Sequence, residues 1–255
     1  MNTNVVRAFR QRLTEYVKDL QAHADKEKLK ELAIIRKFEV SLLEELGIFY
    51  IDNPVELLNP EFFGDLKDFG IINKNTNKPI FSDRFIIPLY DMEGLVMGLV
   101  GYSYNSKVRY MYATTKYFLR NDILYGMENY KECIKDGYII VTEGITDAIT
   151  CKQEGFKHTH STAGAHQSVY MMQLLDFIPC VIFIPDRDHA GKGTERYWKT
   201  HNFVRVLVPF TYKDINEYLT TQPENREQFR LIMNMLIDYV KAGKNRVGEE
   251  IPLYR

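Results

Sequence analysis

Cysteine is scarce in this chain. There are three in 255 residues, Cys133, Cys151 and Cys180, far apart and with no C-x-x-C pair among them. That excludes a zinc ribbon and a disulfide framework and fits a reducing, cytoplasmic setting. Long apolar runs are missing too. The N-terminal "MNTNVVRAFRQRLTEYV" has no apolar core of signal-peptide length, and no stretch approaches a membrane span, so no membrane partner is expected. Charge of one sign is also lacking: 33 Lys and Arg stand against 34 Asp and Glu, a net charge of −1. The overall charge therefore does not draw a polyanion, and any such partner must be held by a local patch. Neither an internal repeat nor a low-complexity tract is present. With 45% hydrophobic residues, the chain can bury a substantial core without covalent staples.

The pattern of the chain changes twice. Residues 5 to 46 read as helices, with Val5, Val6, Phe9, Leu13, Tyr16, Val17 and Leu20 recurring at helical spacing. Gly47 is placed to stop a helix, with Pro54 beyond it. "NKNTNKP", at 73 to 79, is a turn or boundary loop. From Phe81, "DRFIIPLYDMEGLVMGLVGYSY" predicts strand, turn at Asp91 to Gly94, and strand, and "VRYMYATT" a third strand. From about Asp136 strands alternate with helices. "GYIIVTEG", "KHTHSTAG", "CVIFIPDRD" and "FVRVLVPF" are the strands; "ITDAITCKQEG", "HQSVYMMQLLDF" and "AGKGTERYWKTH" are the helices. This alternation predicts a parallel sheet with crossover helices. Residues 222 to 241 read as a C-terminal helix and "AGKNRVGEEIPLYR" as a poorly ordered tail. The boundaries expected are 1–80, mainly helical; 81–135, a mixed α/β segment; 136–220, the α/β domain; and 221–255, helix and tail.

Ligands of open parallel sheets sit beyond the carboxyl ends of the strands. Two of these strands end in acids: "YIIVTEG" delivers Glu143, and "VIFIPDRD" delivers Asp186 and Asp188. If the two strands are neighbours, three carboxylates converge on one edge, where they repel one another unless a cation is present. Hard cations such as Mg²⁺ take oxygen ligands and use one or two carboxylates plus substrate phosphates. An Asp after a strand also caps the helix that follows, so each acid taken singly has a plainer reading. Asp147 reads as a local acid or one acting behind the others. A P-loop is excluded: it needs Gly five residues before the Gly-Lys pair and Ser or Thr after it, and this chain has Asp186 and Gly193 there. Gly191 and Gly193 fit a tight turn into a helix and close packing.

A second absence is local. From Gly94 to Asn121 there is no acid, while Lys107, Arg109, Lys116 and Arg120 alternate with Tyr102, Tyr104, Tyr110, Tyr112 and Tyr117. Single strands are held without sequence preference by stacking on aromatic faces and pairing of phosphates with basic side chains. A tyrosine-rich sheet with solvated charges gives the same pattern, because tyrosine is a good strand former. Arg84, Arg109 and Arg120 are the best placed for phosphates. His158, His160 and His166 in "KHTHSTAGAH" have no acid or cysteine beside them in the sequence and read as strand-end histidines rather than metal ligands. Trp198 and the Met171–Met172 pair read as packing residues.

"VTEGITDAI" resembles the V-E-G-x-x-D motif of Toprim domains, "IPDRDHAGKG" resembles their D-x-D-x-A-G motif, and "STAGAHQS" resembles the Gly-containing turn between the two. Upstream, "DRFIIPLYDMEGLVMGLVGYSY" and "RYMYATTKYFLRNDILYGMENY" are similar to the segment preceding the Toprim domain in DnaG-type primases. Arg84, Pro88, Asp91, Gly94, Gly98, Gly101, Tyr110, Phe118, Leu124, Tyr125 and Gly126 carry that match. "KDINEYL", with Lys213 and Asp214, resembles the family's K-D-P-D-E-Y-L. The likeness spans roughly residues 81 to 220, and more loosely the helical residues from about 30. There are departures. Tyr102 stands where the family has arginine, Arg109 and Arg120 replace lysines, and Ile184-Pro185 replaces the usual residue before the first Asp. No cysteine cluster marks the family's zinc-binding domain, and no helicase-binding domain follows residue 255, which is the form expected of a minimal phage-type primase.

The resemblance implies an α/β fold: a Toprim domain with a central parallel sheet flanked by helices, preceded by a mixed α/β basic subdomain and an N-terminal helical segment. It implies metal-dependent RNA primer synthesis from NTPs on a single-stranded DNA template, beside a replicative helicase in the cytoplasm. Glu143, Asp186 and Asp188 would be catalytic and hold Mg²⁺ or Mn²⁺, with Asp147 and Asp214 as further metal contacts. Arg84, Lys107, Arg109, Lys116, Arg120 and Lys192 would bind nucleic acid or nucleotide, and Lys192 or Arg187 would neutralise phosphates. The alternatives are a Toprim-type nuclease and a non-catalytic single-strand or replisome binding module.

Overall fold

A computed structural model describes residues 3–55, 59–113, 115, 117, 124–164, 168–187, 203–243 and 250–253. The chain divides into two compact units, residues 1–120 and 121–255.

In the first unit three helices precede an antiparallel sheet: α1 (Thr3–Ala22), α2 (Lys26–Arg36) and α3 (Val40–Glu45). The helical stripe of α1 is buried at Leu13, Tyr16, Val17 and Leu20, its C-terminal half, while Val5 stays half exposed. Asp25 starts α2 by accepting from the backbone N–H groups of Glu27 and Lys28. Past α3 the chain turns at Gly47, whose φ is +70°; a Cβ there would lie 2.4 Å from Tyr90 Oη. Then come β1 (Phe49–Ile51), β2 (Arg84–Tyr90), β3 (Val96–Tyr102) and β4 (Tyr110–Tyr112), paired in the order β1-β2-β3-β4. The turn expected at 91–94 is tied by Asp91, whose Oδ1 accepts from the N–H groups of Glu93 and Leu95, and Arg10 closes it with an ion pair of 2.8 Å. The sheet alternates its faces. Phe49, Ile51, Ile86 and Leu99 join Leu13, Tyr16, Phe69 and Phe81 in one apolar core. β1 lies within the stretch expected to be mainly helical. Its three residues are too short a run to show a period, and pairing with β2 decides their conformation.

The second unit holds α4 (Tyr130–Asp136), β5 (Tyr138–Thr142), α5 (Ile145–Gln153), β6 (Thr159–Ser161), α6 (Val169–Asp176), β7 (Cys180–Ile184), β8 (Phe203–Leu207), α7 (Ile215–Thr221), α8 (Pro223–Lys241) and β9 (Glu250–Pro252). Its sheet is parallel throughout, in the order β6-β5-β7-β8-β9. The central strands β5 and β7 are buried at nearly every residue, as strands covered on both faces must be. The helix expected over "AGKGTERYWKTH", Trp198 included, lies outside the described residues.

The expected C-terminal tail is corrected at residues 250–253. β9 adds a fifth parallel strand beside β8, Leu253 is fully buried, and Tyr218 Oη donates to the Leu253 carbonyl at 3.0 Å. The stretch reads as a tail because Gly, Lys, Asn and Glu dominate around it. A three-residue edge strand carries too few apolar side chains to announce itself.

Candidate active site

The site begins with register. Thr142 pairs with Ile184 at the ends of the adjacent parallel strands β5 and β7. Glu143 follows Thr142 directly, and Asp186 follows Ile184 by two residues, so both leave the sheet at the same carboxyl edge. Glu143 is buried and Asp186 half-buried. Local hydrogen bonds fix the departure of β5. The Thr142 hydroxyl donates to the Gly144 carbonyl at 2.9 Å, and the Ser161 hydroxyl of β6 donates to the Glu143 carbonyl, also at 2.9 Å. The turn after β6 bends through Ala163 and Gly164, both at positive φ, where the sequence offers small residues.

Asp147 lies in the first turn of α5, 4% exposed. Its Oδ1 accepts from the backbone N–H of Asn216 in α7 at 3.2 Å. Its Oδ2 folds back over the helix start, so a Cβ on Gly144 would sit 2.3 Å from it. Asp214 caps α7, its Oδ1 accepting from the Glu217 N–H at 2.8 Å, while the Glu217 carboxylate accepts from the Lys213 N–H at 2.7 Å. Asp214 thus serves as a helix cap through one of its two carboxylate oxygens. The Lys213 carbonyl accepts from the Arg187 N–H at 2.8 Å, which ties the segment after Asp186 to the start of α7. The Arg187 side chain turns to the Val208 carbonyl (Nε, 2.6 Å) and stacks 4.2 Å from the Phe210 ring centroid.

Asp188 and Lys192 lie outside the described residues. Among the described residues no group of three or more His, Cys, Asp or Glu side chains is disposed to hold a metal. Glu143 and Asp186 are an all-oxygen donor pair at neighbouring strand ends, which suits a hard cation that needs only one or two carboxylates and completes its shell with water and phosphate. Neither His158 nor His160 joins this pair. His160 is fully buried in β6, and burial, then Lys152, pushes its pKa down to about 3. His158, which has no acid beside it in the sequence, pairs with Asp136 at 2.8 Å, a partner brought by the fold. His166 lies outside the described residues.

In the first unit the basic residues divide. Arg84 is buried; its guanidinium donates to the carbonyls of Val108 (2.9 Å) and Arg109 (3.4 Å) and to Ser106 Oγ, and burial lowers its pKa. Gly101 makes room for it, since a Cβ there would lie 2.9 Å from Arg84 Cδ and 2.5 Å from Phe81. Lys107 and Arg109 stand exposed on the loop that Arg84 braces. Lys116 and Arg120 lie outside the described residues. Of the tyrosines, Tyr102 is buried and its hydroxyl accepts from Arg36 of α2, Tyr104 bonds Glu31, and Tyr117 packs on Phe9. Tyr110 and Tyr112, on the edge strand β4, are half-buried. At Tyr102, where the family pattern has arginine, a guanidinium arrives from another element, Arg36.

Sequence reasoning passed over Asn216 and Thr150. The one signal for Asn216 was that K-D-P-D-E-Y-L has an acid in its place; Thr150 had none.

Residues 140–219 match the Toprim-like family. The chain is 32% identical over 153 residues to the DNA primase of Buchnera aphidicola, covering 56% of this chain and 26% of that protein. It is 24% identical over 258 residues to the DNA primase of Thermotoga maritima, covering 94% and 45%. The chain therefore spans less than half the length of these relatives. Among solved structures, the DnaG primase catalytic domain bound to ssDNA superposes with a TM-score of 0.72 at 21% identity, over 90% of this chain and 80% of that one. Residues 140–219 are thus a Toprim-like domain, a class that in general depends on divalent metal. The chain as a whole has the fold of the DnaG-type primase catalytic core.

Proposed function

We propose that the protein is a DNA primase, synthesising RNA primers from NTPs on a single-stranded DNA template. The observation that supports this most is the β5–β7 register, which sends Glu143 and Asp186 out of one sheet edge. The likeness to primase catalytic cores gives that edge its chemistry.

In the proposed reaction the 3′-hydroxyl of a primer, or of a first nucleotide, attacks the α-phosphate of an incoming NTP. A P–O bond forms, the bond from the α-phosphorus to the bridging oxygen breaks, pyrophosphate leaves, and the hydroxyl proton passes to Glu143 or to water. Glu143, Asp186 and Asp188 would hold Mg²⁺ or Mn²⁺, which when bound polarises the phosphoryl oxygens and offsets the charge of the triphosphate. Asp147, held between Gly144 and Asn216, would orient the edge from behind. Asp214, which caps α7 through Oδ1, would be a further metal contact through its other carboxylate oxygen. Lys107 and Arg109, exposed on a braced loop, are the described residues best suited to template phosphates, and Tyr110 and Tyr112 to its bases. A replicative helicase is the proposed protein partner.

The test is incubation with NTPs, Mg²⁺ and a single-stranded template, with and without a candidate helicase. Products of two or more nucleotides are expected. Glu143→Ala and Asp186→Ala should lower synthesis by more than about 100-fold with DNA binding retained. A shortened template and no product would indicate a nuclease instead.

A further inference from the structure

Asn216 makes contact with α5 twice. Its backbone N–H donates to Asp147 Oδ1 at 3.2 Å, and its side-chain Nδ2 donates to Thr150 Oγ1 at 2.8 Å. Asp147 and Thr150 are three residues apart on α5 and so lie on one face of it. Thr150 passes the bond on, its hydroxyl donating to the Thr146 carbonyl at 2.9 Å. At the other end, the Asn216 carbonyl accepts from Thr220 Oγ1 at 2.7 Å. Asn216, Thr150 and Asp147 line the buried seam between α5 and α7, at 7%, 2% and 4% exposure. Through Lys213, whose carbonyl accepts from Arg187 N–H, the same segment is fastened to the residue after Asp186.

We infer that Asn216 is a positioning residue of the catalytic edge: it sets the Asp147 carboxylate relative to the Asp186 segment and thereby sets the site's affinity for a divalent cation. This rests on the reading of Glu143 and Asp186 as cation ligands. The residue type follows from the job. A side chain here must donate to Thr150 Oγ1, because the Thr150 proton is used by Thr146. A carboxylate cannot donate, and it would add a negative charge beside Asp147. An amide supplies the donor with no charge. The tie is short, buried and shared between two helices, and partners that orient ligands in this way typically tune metal affinity by 10- to 100-fold.

The probe is Mn²⁺, bound to the whole chain without nucleotide and followed by loss of the free-ion EPR signal. The variants are Asn216→Ala and Thr150→Val, which break the same bond from its two ends, each checked for a cooperative thermal transition. Both should weaken Mn²⁺ binding by about tenfold, and the double variant should be no worse than either alone. A purely structural tie would lower the melting temperature and leave the Mn²⁺ affinity of the folded protein unchanged; that result overturns the inference, as does a loss confined to one variant. If Asn216→Ala does not fold, Thr150→Val decides alone. Glu143→Ala and Asp186→Ala are measured alongside. If they leave Mn²⁺ binding intact, the reading of the catalytic edge fails. If they abolish binding while Asn216→Ala and Thr150→Val do not weaken it, only the positioning role fails.

Discussion

Thr142 and Ile184 stand side by side at the ends of two adjacent parallel strands. This register makes neighbours of two acids, Glu143 and Asp186, that are 43 positions apart in the sequence. Everything proposed for the second unit depends on it, because a single-residue slip would carry one of the two to the opposite face.

Gly144 gives a test of Asp147. Its φ is not in the left-handed region, so Gly144→Ala brings no backbone strain, only a methyl group 2.3 Å from Asp147 Oδ2. The carboxylate must move. Gly144→Ala should cost about 1–3 kcal/mol of stability, measured by urea unfolding, and should reduce primer synthesis more than Gly64→Ala, a change where φ is not in the left-handed region and a methyl meets nothing within 4 Å.

Arg84 and Arg109 should separate in their effects. Arg109 is exposed, so Arg109→Ala should weaken single-strand binding and lower the slope of log K against log salt by about 0.7. Arg84 holds three acceptors of the loop from Ser106 to Arg109. Arg84→Ala should cost about 1–3 kcal/mol of stability, and its binding loss should come with a more mobile loop, seen as faster amide exchange at 103–109. A smaller salt slope together with unchanged stability in Arg84→Ala would instead place its guanidinium on a phosphate.

His160 predicts a pH dependence. Its pKa falls from the ordinary 6.5 to about 3 in the folded chain because a fully buried imidazole cannot hydrate its charge. The unfolded chain therefore binds the extra proton first as pH falls. The contribution of neutral His160 is fully present above pH 6.5 and is lost progressively between there and about pH 3. Unfolding measured across that window should show a slope that flattens in a folded His160→Leu variant. An unchanged slope would show that other groups carry the acid sensitivity.

Much of the second unit was legible because strands buried on both faces have to be continuous apolar runs. "YIIVT" and "VIFI" announce themselves, and their ends announce the acids. The order in which the strands lie side by side was not written in those runs; the sequence allowed β5 and β7 to be neighbours, and only pairing makes them so. β1 and β9 escaped notice because three residues hold no period. The basic stretch was legible as a pattern but not as a surface. Tyr102, Tyr104 and Tyr117 spend their rings or hydroxyls on Arg36, Glu31 and Phe9, contacts across 66 to 108 positions that no local reading contains. Asn216 was hidden for the same reason, since its role is set by Asp147, 69 positions earlier.

The most direct test of the shared edge replaces Mg²⁺ with Fe²⁺ and generates hydroxyl radicals at the bound ion, which cut the backbone beside it. The account predicts two cuts, one near Glu143 and one near Asp186, that fade together in Asp186→Asn and are suppressed together by excess Mg²⁺. A cut at only one of the two places, or a Glu143 cut that persists undiminished in Asp186→Asn, would contradict it.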